Sequence, residues 1–174
     1  MTADGSLEGM STTVAVAGAR GRLGSLVCEV VEEHPDFELV ARLNSASDPE
    51  DGAAARILVD VSHPDASPGI VDRALGRGQR VLVGTSGWSA DRLERLRERV
   101  KATPGAGVIV VPNFSLGSVL GTALASMAAP YFDAIEVIEA HHPGKVDSPS
   151  GTAVRTAELM AEARGGRPVE APFA

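Results

Sequence analysis

Lysine is nearly missing from this sequence. Among sixteen basic residues only Lys101 and Lys145 are lysines, and the rest are arginines. Against 23 acidic residues they leave a net charge of −7, which excludes the basic footprint that holds nucleic acid. A single cysteine, Cys28, excludes an internal disulfide and favours a reducing cytoplasm. No apolar run approaches the roughly 20 residues of a membrane span. The opening "MTADGSLEGMSTT" lacks the charged-then-apolar order of a secretion signal. Residues 1–12 are therefore expected to form a disordered leader, and the protein to be soluble and cytoplasmic. No internal repeat is visible. What remains is a chain of 174 residues, 44% hydrophobic. That suffices for one cored domain, or one domain and part of a second.

Short apolar runs alternate with amphipathic segments. "TVAVAGA", "FELVARL", "RILVDVS", "RVLVGTS" and "GVIVVPN" are rich in Val and Ile and end in turn residues, as strands covered on both faces do. Leu23, Leu26, Val27, Val30 and Val31 form an i, i+3, i+4 stripe that His34-Pro35 should stop. Ser89 is the expected N-cap of the helix in "SADRLERLRERVKA". The order is β-α-β-β-α-β-α-β, with Asn44 to Ala54 as an abbreviated crossover, and it implies a doubly wound, Rossmann-like α/β sheet over residues 13–113. After Asn113 the pattern changes. "SLGSVLGTALASMAAPYF" reads as a long helix, "DAIEVIEAHH" as a strand, and Gly151 to Arg164 as a further helix before a trailing loop. Residues 114–174 thus read as part of a smaller α+β domain.

The first strand runs into "GARGRLG", where Gly18, Gly21 and Gly24 make a G-x-x-G-x-x-G loop. Glycines there let a backbone approach a pyrophosphate, and the following helix aims its free amides at it. An acid at the end of the second strand would bind the ribose hydroxyls of NAD; here Asn44 stands instead. Asparagine does not repel a 2′-phosphate, and Arg20, Arg22 and Arg42 are available to pair with one, which tilts the cofactor toward NADPH or dual use. "VGTSGW" and "VPNFSLG" put small and polar residues beyond two further strand ends, on the edge where open α/β sheets bind ligands.

The segment "EAHHPGKVDSPSGTAV", Glu139 to Val154, crowds His141, His142 and Lys145 ahead of a helix start. Ser148, Ser150, Gly151 and Thr152 supply hydroxyls and unpaired amides suited to a carboxylate. Histidine moves protons near neutral pH, and lysine supplies charge or a proton. As a metal site the group is poor: lysine is an unusual ligand, no nearby Cys completes the set, and Asp147 alone does not rescue it. No metal is expected.

That segment resembles the signature HH-x-x-K-x-D-x-P-S-G-T-A of the 4-hydroxy-tetrahydrodipicolinate (dihydrodipicolinate) reductase family. "GARGRLG", "GTSGW" and "VPNFSLG" resemble the family's other segments in the same order, and the short crossover is like that of its compact actinobacterial members. The likeness runs from about Thr13 to Pro168. It implies reduction of a cyclic imine dicarboxylate with NADH or NADPH in the diaminopimelate route to lysine, by a cytoplasmic homotetramer. It also implies roles for individual positions. His141 and Lys145 would be catalytic, and His142, Ser150, Gly151 and Thr152 would hold the substrate. The dinucleotide would lie against Gly18, Ala19, Arg20, Gly21, Arg22 and Leu23, then Asn44, then Gly84, Thr85 and Ser86, then Val111, Pro112, Asn113 and Phe114. Asn44 departs from the acid of many NADH-using relatives and leaves the preference open.

Family members continue beyond the position matching Pro168, so the chain is expected to be a C-terminally truncated form. Three readings follow: the reductase itself, a non-catalytic dinucleotide-binding module of the same family, or another dehydrogenase with the same cofactor fold. The His-His-x-x-Lys loop argues against the third.

Overall fold

The computed structural model describes residues 11–141 and 148–165, and these fall into two compact units, Met1–Val111 and Pro112–Ala174. In the first unit the elements run β1 (Thr12–Ala17), α1 (Arg22–Glu33), β2 (Phe37–Leu43), a 3-10 turn (Pro49–Gly52), β3 (Ile57–Asp60), α2 (Ser67–Gly76), β4 (Arg80–Val83), α3 (Ala90–Lys101) and β5 (Gly107–Val110). All four strand pairings are parallel, in the order β2-β1-β3-β4-β5. This is the doubly wound sheet expected from the strand runs. The order of strand addition reverses between β1 and β3, where such folds open a crevice at the carboxyl ends of the strands.

Alternation along β1 sorts the core into two layers. Val14 and Val16 pack with Cys28 and Val31 of α1, whereas Ala15 and Ala17 pack with Val71, Ala74 and Leu75 of α2, where Leu96 and Val100 of α3 also gather. Successive strand residues face opposite sides, so both faces need apolar cover. The stripe read on α1 is rotated from its expected position. Gly24, Cys28 and Val31 face the sheet, while Leu26 and Val30 are more than half exposed. The cause is Gly24, whose missing Cβ would fall on the Gly18 carbonyl oxygen. The glycine sets the contact side, and the larger residues turn outward.

The crossover from β2 to β3 contains no α-helix. Its 3-10 turn lies close on the sheet, where a Cβ at Gly52 would stand 3.4 Å from the Ala15 methyl and 2.9 Å from Leu43 Cδ1. The residues after α2 hold it in place. Gln79, buried, donates from Nε2 to the carbonyls of Gly52 (2.9 Å) and Ala55 (2.7 Å). Arg77 donates to the Pro49 carbonyl and pairs with Glu50. Ser89 caps α3 by accepting the Arg92 amide.

The second unit contains α4 (Leu116–Ala128), a 3-10 turn (Ala129–Tyr131) and α5 (Gly151–Ala163). The long helix expected from Ser115 to Phe132 stops early, because Pro130 has no amide to continue the ladder and the chain tightens into the 3-10 turn. Small and polar residues form the α4–α5 contact, with the Thr122 and Thr156 hydroxyls 2.8 Å apart. Leu116, Val119, Leu120, Leu124 and Met127 face outward and are each more than half exposed. Arg164, buried, donates to the carbonyls of Ala129, Phe132 and Asp133, tying the end of α5 to the end of α4. The expected strand over Asp133–His142 is not formed by its described residues, Asp133–His141. A strand exists through ladder bonds to a neighbour, and among the described residues this unit holds no second strand. Residues 1–10 of the expected leader and the loop from residue 166 lie outside the described residues. Among those described, no helix is long and apolar enough to cross a membrane.

Candidate functional site

The glycine loop closes β1 against α1 with a different reason at each glycine. Gly18 has φ +84°, and a Cβ there would press on Val61 and stand 2.8 Å from Ser62 Cα. Only glycine fits such a position. Gly24 is required by close packing on the loop beneath it. Gly21 differs, because a Cβ there would meet only the Gly18 carbonyl oxygen, at 3.2 Å. A methyl at 21 is thus crowded by one backbone oxygen rather than excluded by several atoms, a milder demand for glycine than at 18 or 24. Gly21 is also the N-cap of α1, a 12-residue helix with no side-chain cap and no acid in its first turn. No side chain of its first turn therefore offsets the positive end of the helix.

Beside this loop a cavity of about 450 Å³ is lined by Gly18, Arg20, Gly21 and Asn44 at the rim, and by Leu43, Leu58, Ile70 and Ala74 below. Asn44 lines it from a fixed turn: its Oδ1 accepts the Ala46 amide and its backbone amide donates to Ser47 Oγ. Its side-chain NH₂ stays available as a donor. Arg20 is exposed and forms no ion pair among the described residues. Arg42 does not join it. Its strand register pairs it with Val16, on the α1 face of the sheet, and its guanidinium pairs with Glu32 of α1. The proposed 2′-phosphate contact by Arg42 is therefore withdrawn.

Other nominated positions divide by what their side chains do. Ala19 is buried in the α1 layer, and its amide donates to the Leu43 carbonyl. Arg22 and Leu23 begin α1 and are exposed. Gly84 and Thr85 follow β4 and are tied to the end of β3, where the Gly84 amide and the Thr85 hydroxyl both donate to the Asp60 carbonyl. Thr85 thus turns inward, while Ser86 beside it is exposed. Val111 ends the first unit and donates to the Val83 carbonyl. Pro112, Asn113 and Phe114 belong to the second unit. There Asn113 accepts the Ser115 amide and donates to Ser118 Oγ (2.8 Å) and Thr152 Oγ1 (3.4 Å). Phe114 is half exposed.

In the second unit Ser150, buried, is the N-cap of α5 and accepts the Ala153 amide at 3.1 Å. Among the described residues nothing lies within 4 Å of where a Cβ on Gly151 would stand. Glu139 ties this start to the histidine. Its Oε1 accepts the Ser150 amide at 2.8 Å, and its Oε2 lies 3.3 Å from His141 Nδ1. The two side chains thus stand at ion-pair distance, with the carboxylate beside the Nδ1 edge of the ring. His142 and Lys145 lie outside the described residues.

Sequence reasoning gave Glu139 no role. The signal was present: Glu139 and His141 are two apart on an extended segment, and so on the same side of it. Asp60 and Gln79 were also missed, since nothing in a strand end or a helix end marks a buried polar side chain in advance.

Residues 12–114 match the family described as dihydrodipicolinate reductase, N-terminus, and residues 117–171 match dihydrodipicolinate reductase, C-terminus. A 4-hydroxy-tetrahydrodipicolinate reductase from Clavibacter sepedonicus is 54% identical over 164 residues, covering 94% of this chain and 59% of the relative. One from Streptomyces coelicolor is 48% identical over 153 residues, covering 87% and 61%. The chain thus spans about three fifths of the length of these curated relatives. Among solved structures, a dipicolinate-bound dihydrodipicolinate reductase from Paenisporosarcina sp. TG-14 superposes with a TM-score of 0.71 at 29% identity, covering 95% of this chain and 71% of that one. With both parts of the family pattern present in order, the chain belongs to the dihydrodipicolinate reductase family.

Proposed function

We propose that this protein acts in the reduction of 4-hydroxy-tetrahydrodipicolinate to tetrahydrodipicolinate, with NADPH or NADH as the reductant, in the route to diaminopimelate and lysine. The observation that carries this reading is the Glu139 bridge. One carboxylate accepts the Ser150 amide and stands 3.3 Å from the His141 ring nitrogen, and so meets both flanks of the segment that contains His142 and Lys145. A dicarboxylate ring calls for cationic and amide donors, which the first-turn amides of α5 and, on this reading, Lys145 would supply. Positions His142, Ser150, Gly151 and Thr152 would hold the substrate, with His141 and Lys145 handling protons at the ring nitrogen.

When bound, the nicotinamide supplies the hydride. The chain's own part is to seat the pyrophosphate against Gly21 and the leading amides of α1, and to meet the ribose with Asn44. Because Asn44 carries no charge and Arg20 has no carboxylate partner among the described residues, a 2′-phosphate is tolerated and NADPH is accepted alongside NADH. Cytoplasmic location and a homotetrameric assembly belong to the same proposal. Freshly generated substrate and NADPH test it, with nicotinamide absorbance followed in the wild type and in Lys145→Ala. Turnover in the wild type, reduced about 100-fold or more in the variant with NADPH affinity unchanged, supports the reading. NADPH binding without any turnover would leave a dinucleotide-binding module in its place.

A further inference from the structure

Asp60 ends β3 with no exposed surface, and among the described residues it forms no ion pair. A buried carboxylate without a countercharge persists only where donors surround it. Here all three donors come from the β3–α2 turn. Oδ1 accepts the Ser62 amide at 3.2 Å and the Ser62 hydroxyl, and Oδ2 accepts the hydroxyl of Ser67, the first residue of α2. Ser67 Oγ in turn accepts Trp88 Nε1 at 3.1 Å. The backbone carbonyl of Asp60 takes the Gly84 amide at 2.8 Å and the Thr85 hydroxyl at 3.2 Å. One residue therefore fastens the β3–α2 turn to the segment that follows β4.

A carboxylate only accepts, so it also sets the direction of every hydroxyl around it. Ser67 must give its proton to Asp60, and its lone pair is then free for the indole. Ser62 must do the same, and Ser62 lines the cavity beside the glycine loop. With its proton committed, the Ser62 oxygen can offer that cavity only lone pairs.

Resting on the dinucleotide reading above, we propose that Asp60 is a positioning residue of the nucleotide site, holding the rim segments Ser62–Ser67 and Gly84–Trp88 in register and making Ser62 an acceptor for a hydroxyl or amino donor of the ligand. It touches no reacting atom. Its effect is on binding, through the loops that it joins.

NADPH titrated by fluorescence against the wild type and the variants Asp60→Asn, Ser62→Ala, Ser67→Ala, Ser67→Thr and Trp88→Phe tests this, with thermal melting and amide exchange of Gly84–Ser86 measured alongside. Asp60→Asn is expected to weaken NADPH binding about tenfold, the equivalent of one hydrogen bond, and to speed exchange at Gly84–Ser86. Ser62→Ala should weaken binding with no change in that exchange. Ser67→Ala and Trp88→Phe should lose about threefold in affinity while staying folded, and Ser67→Thr should keep wild-type affinity. Wild-type affinity in a folded Asp60→Asn protein, or in both relay variants Ser67→Ala and Trp88→Phe, overturns the role given to Asp60. So does an affinity loss that only follows the drop in melting temperature. A wild-type chain that binds neither NADPH nor NADH defeats the dinucleotide reading itself, and this inference with it.

Discussion

Glu139 Oε2 lies 3.3 Å from His141 Nδ1, while the other oxygen of the same carboxylate accepts the Ser150 amide. One carboxylate thus closes the α5 N-terminus and sets a negative charge beside the imidazole. Glu139→Gln keeps the shape, but its amide group cannot accept on both sides. Turnover should fall about tenfold or more, as when a partner that orients a functional histidine is removed. NADPH affinity should not change. A titration paired with initial rates makes the check, and unaltered turnover would remove Glu139 from the site.

Gly21 and Gly24 separate binding from folding. At Gly24 a methyl group would collide with loop backbone, so Gly24→Ala should cost about 1–3 kcal/mol of stability in a denaturant titration. At Gly21 a methyl would stand 3.2 Å from a single backbone oxygen, a milder crowding, so Gly21→Ala should cost about 1 kcal/mol, partly as a poorer N-cap, yet weaken NADPH binding about tenfold. Equal NADPH affinity in a folded Gly21→Ala protein would mean that the loop does not face a pyrophosphate.

Gln79 holds the short crossover through two buried carbonyls. Gln79→Ala leaves both without their donor, and the expected loss is about 1–3 kcal/mol. Urea unfolding is the measurement. The expected signature is a lower midpoint with the slope preserved.

Asn44 and Arg20 bear on cofactor choice. Asn44→Asp puts a carboxylate where a 2′-phosphate would come, so the ratio of NADPH to NADH affinity should fall about tenfold or more. Arg20→Ala should lower NADPH affinity and leave NADH affinity nearly unchanged. Arg42→Ala should alter neither, because that guanidinium is engaged with Glu32.

Burial pushes the Cys28 thiol above its ordinary range, with Arg42 acting against this and Glu32 and Glu29 adding to it. In the unfolded chain the thiol ionises first, near about pH 8.5. The stability tied to the protonated thiol is therefore complete below that point and is lost as pH rises toward the folded value. Native protein should accordingly react with iodoacetamide about tenfold or more slowly than urea-unfolded protein at pH 8. Cys28→Ala should flatten the alkaline decline in stability. Labelling at the free-thiol rate in native buffer would contradict the buried placement.

Much of the first unit could be read directly. Five apolar runs became five parallel strands, because a strand covered on both faces leaves an unbroken apolar trace. The serine before α3 capped it as expected. Side-chain direction was the harder matter. Arg42 looked available beside the glycine loop, yet alternation along β2 sends it to the α1 face. Leu26 and Val30 looked like core, yet Gly24 rotates α1 away from them. In the second unit the alternating residues after Asp133 gave a good strand signal, but periodicity reports which sides a segment offers and not whether a neighbour exists to pair with it. The Asp60 and Gln79 networks left no trace in the sequence, since a buried acceptor is defined by what surrounds it in space.

The 3-10 turn resting on Ala15 and beside Leu43 has a bearing on how this connection can vary. Where a full helix spans two strands, its outer surface absorbs added or exchanged residues. Here the span between β2 and β3 has no outer layer to spare. Enlarging Ala15, giving Gly52 a side chain or shortening Gln79 would each disturb the same few ångströms of contact, so a change at one of these positions is felt at the others.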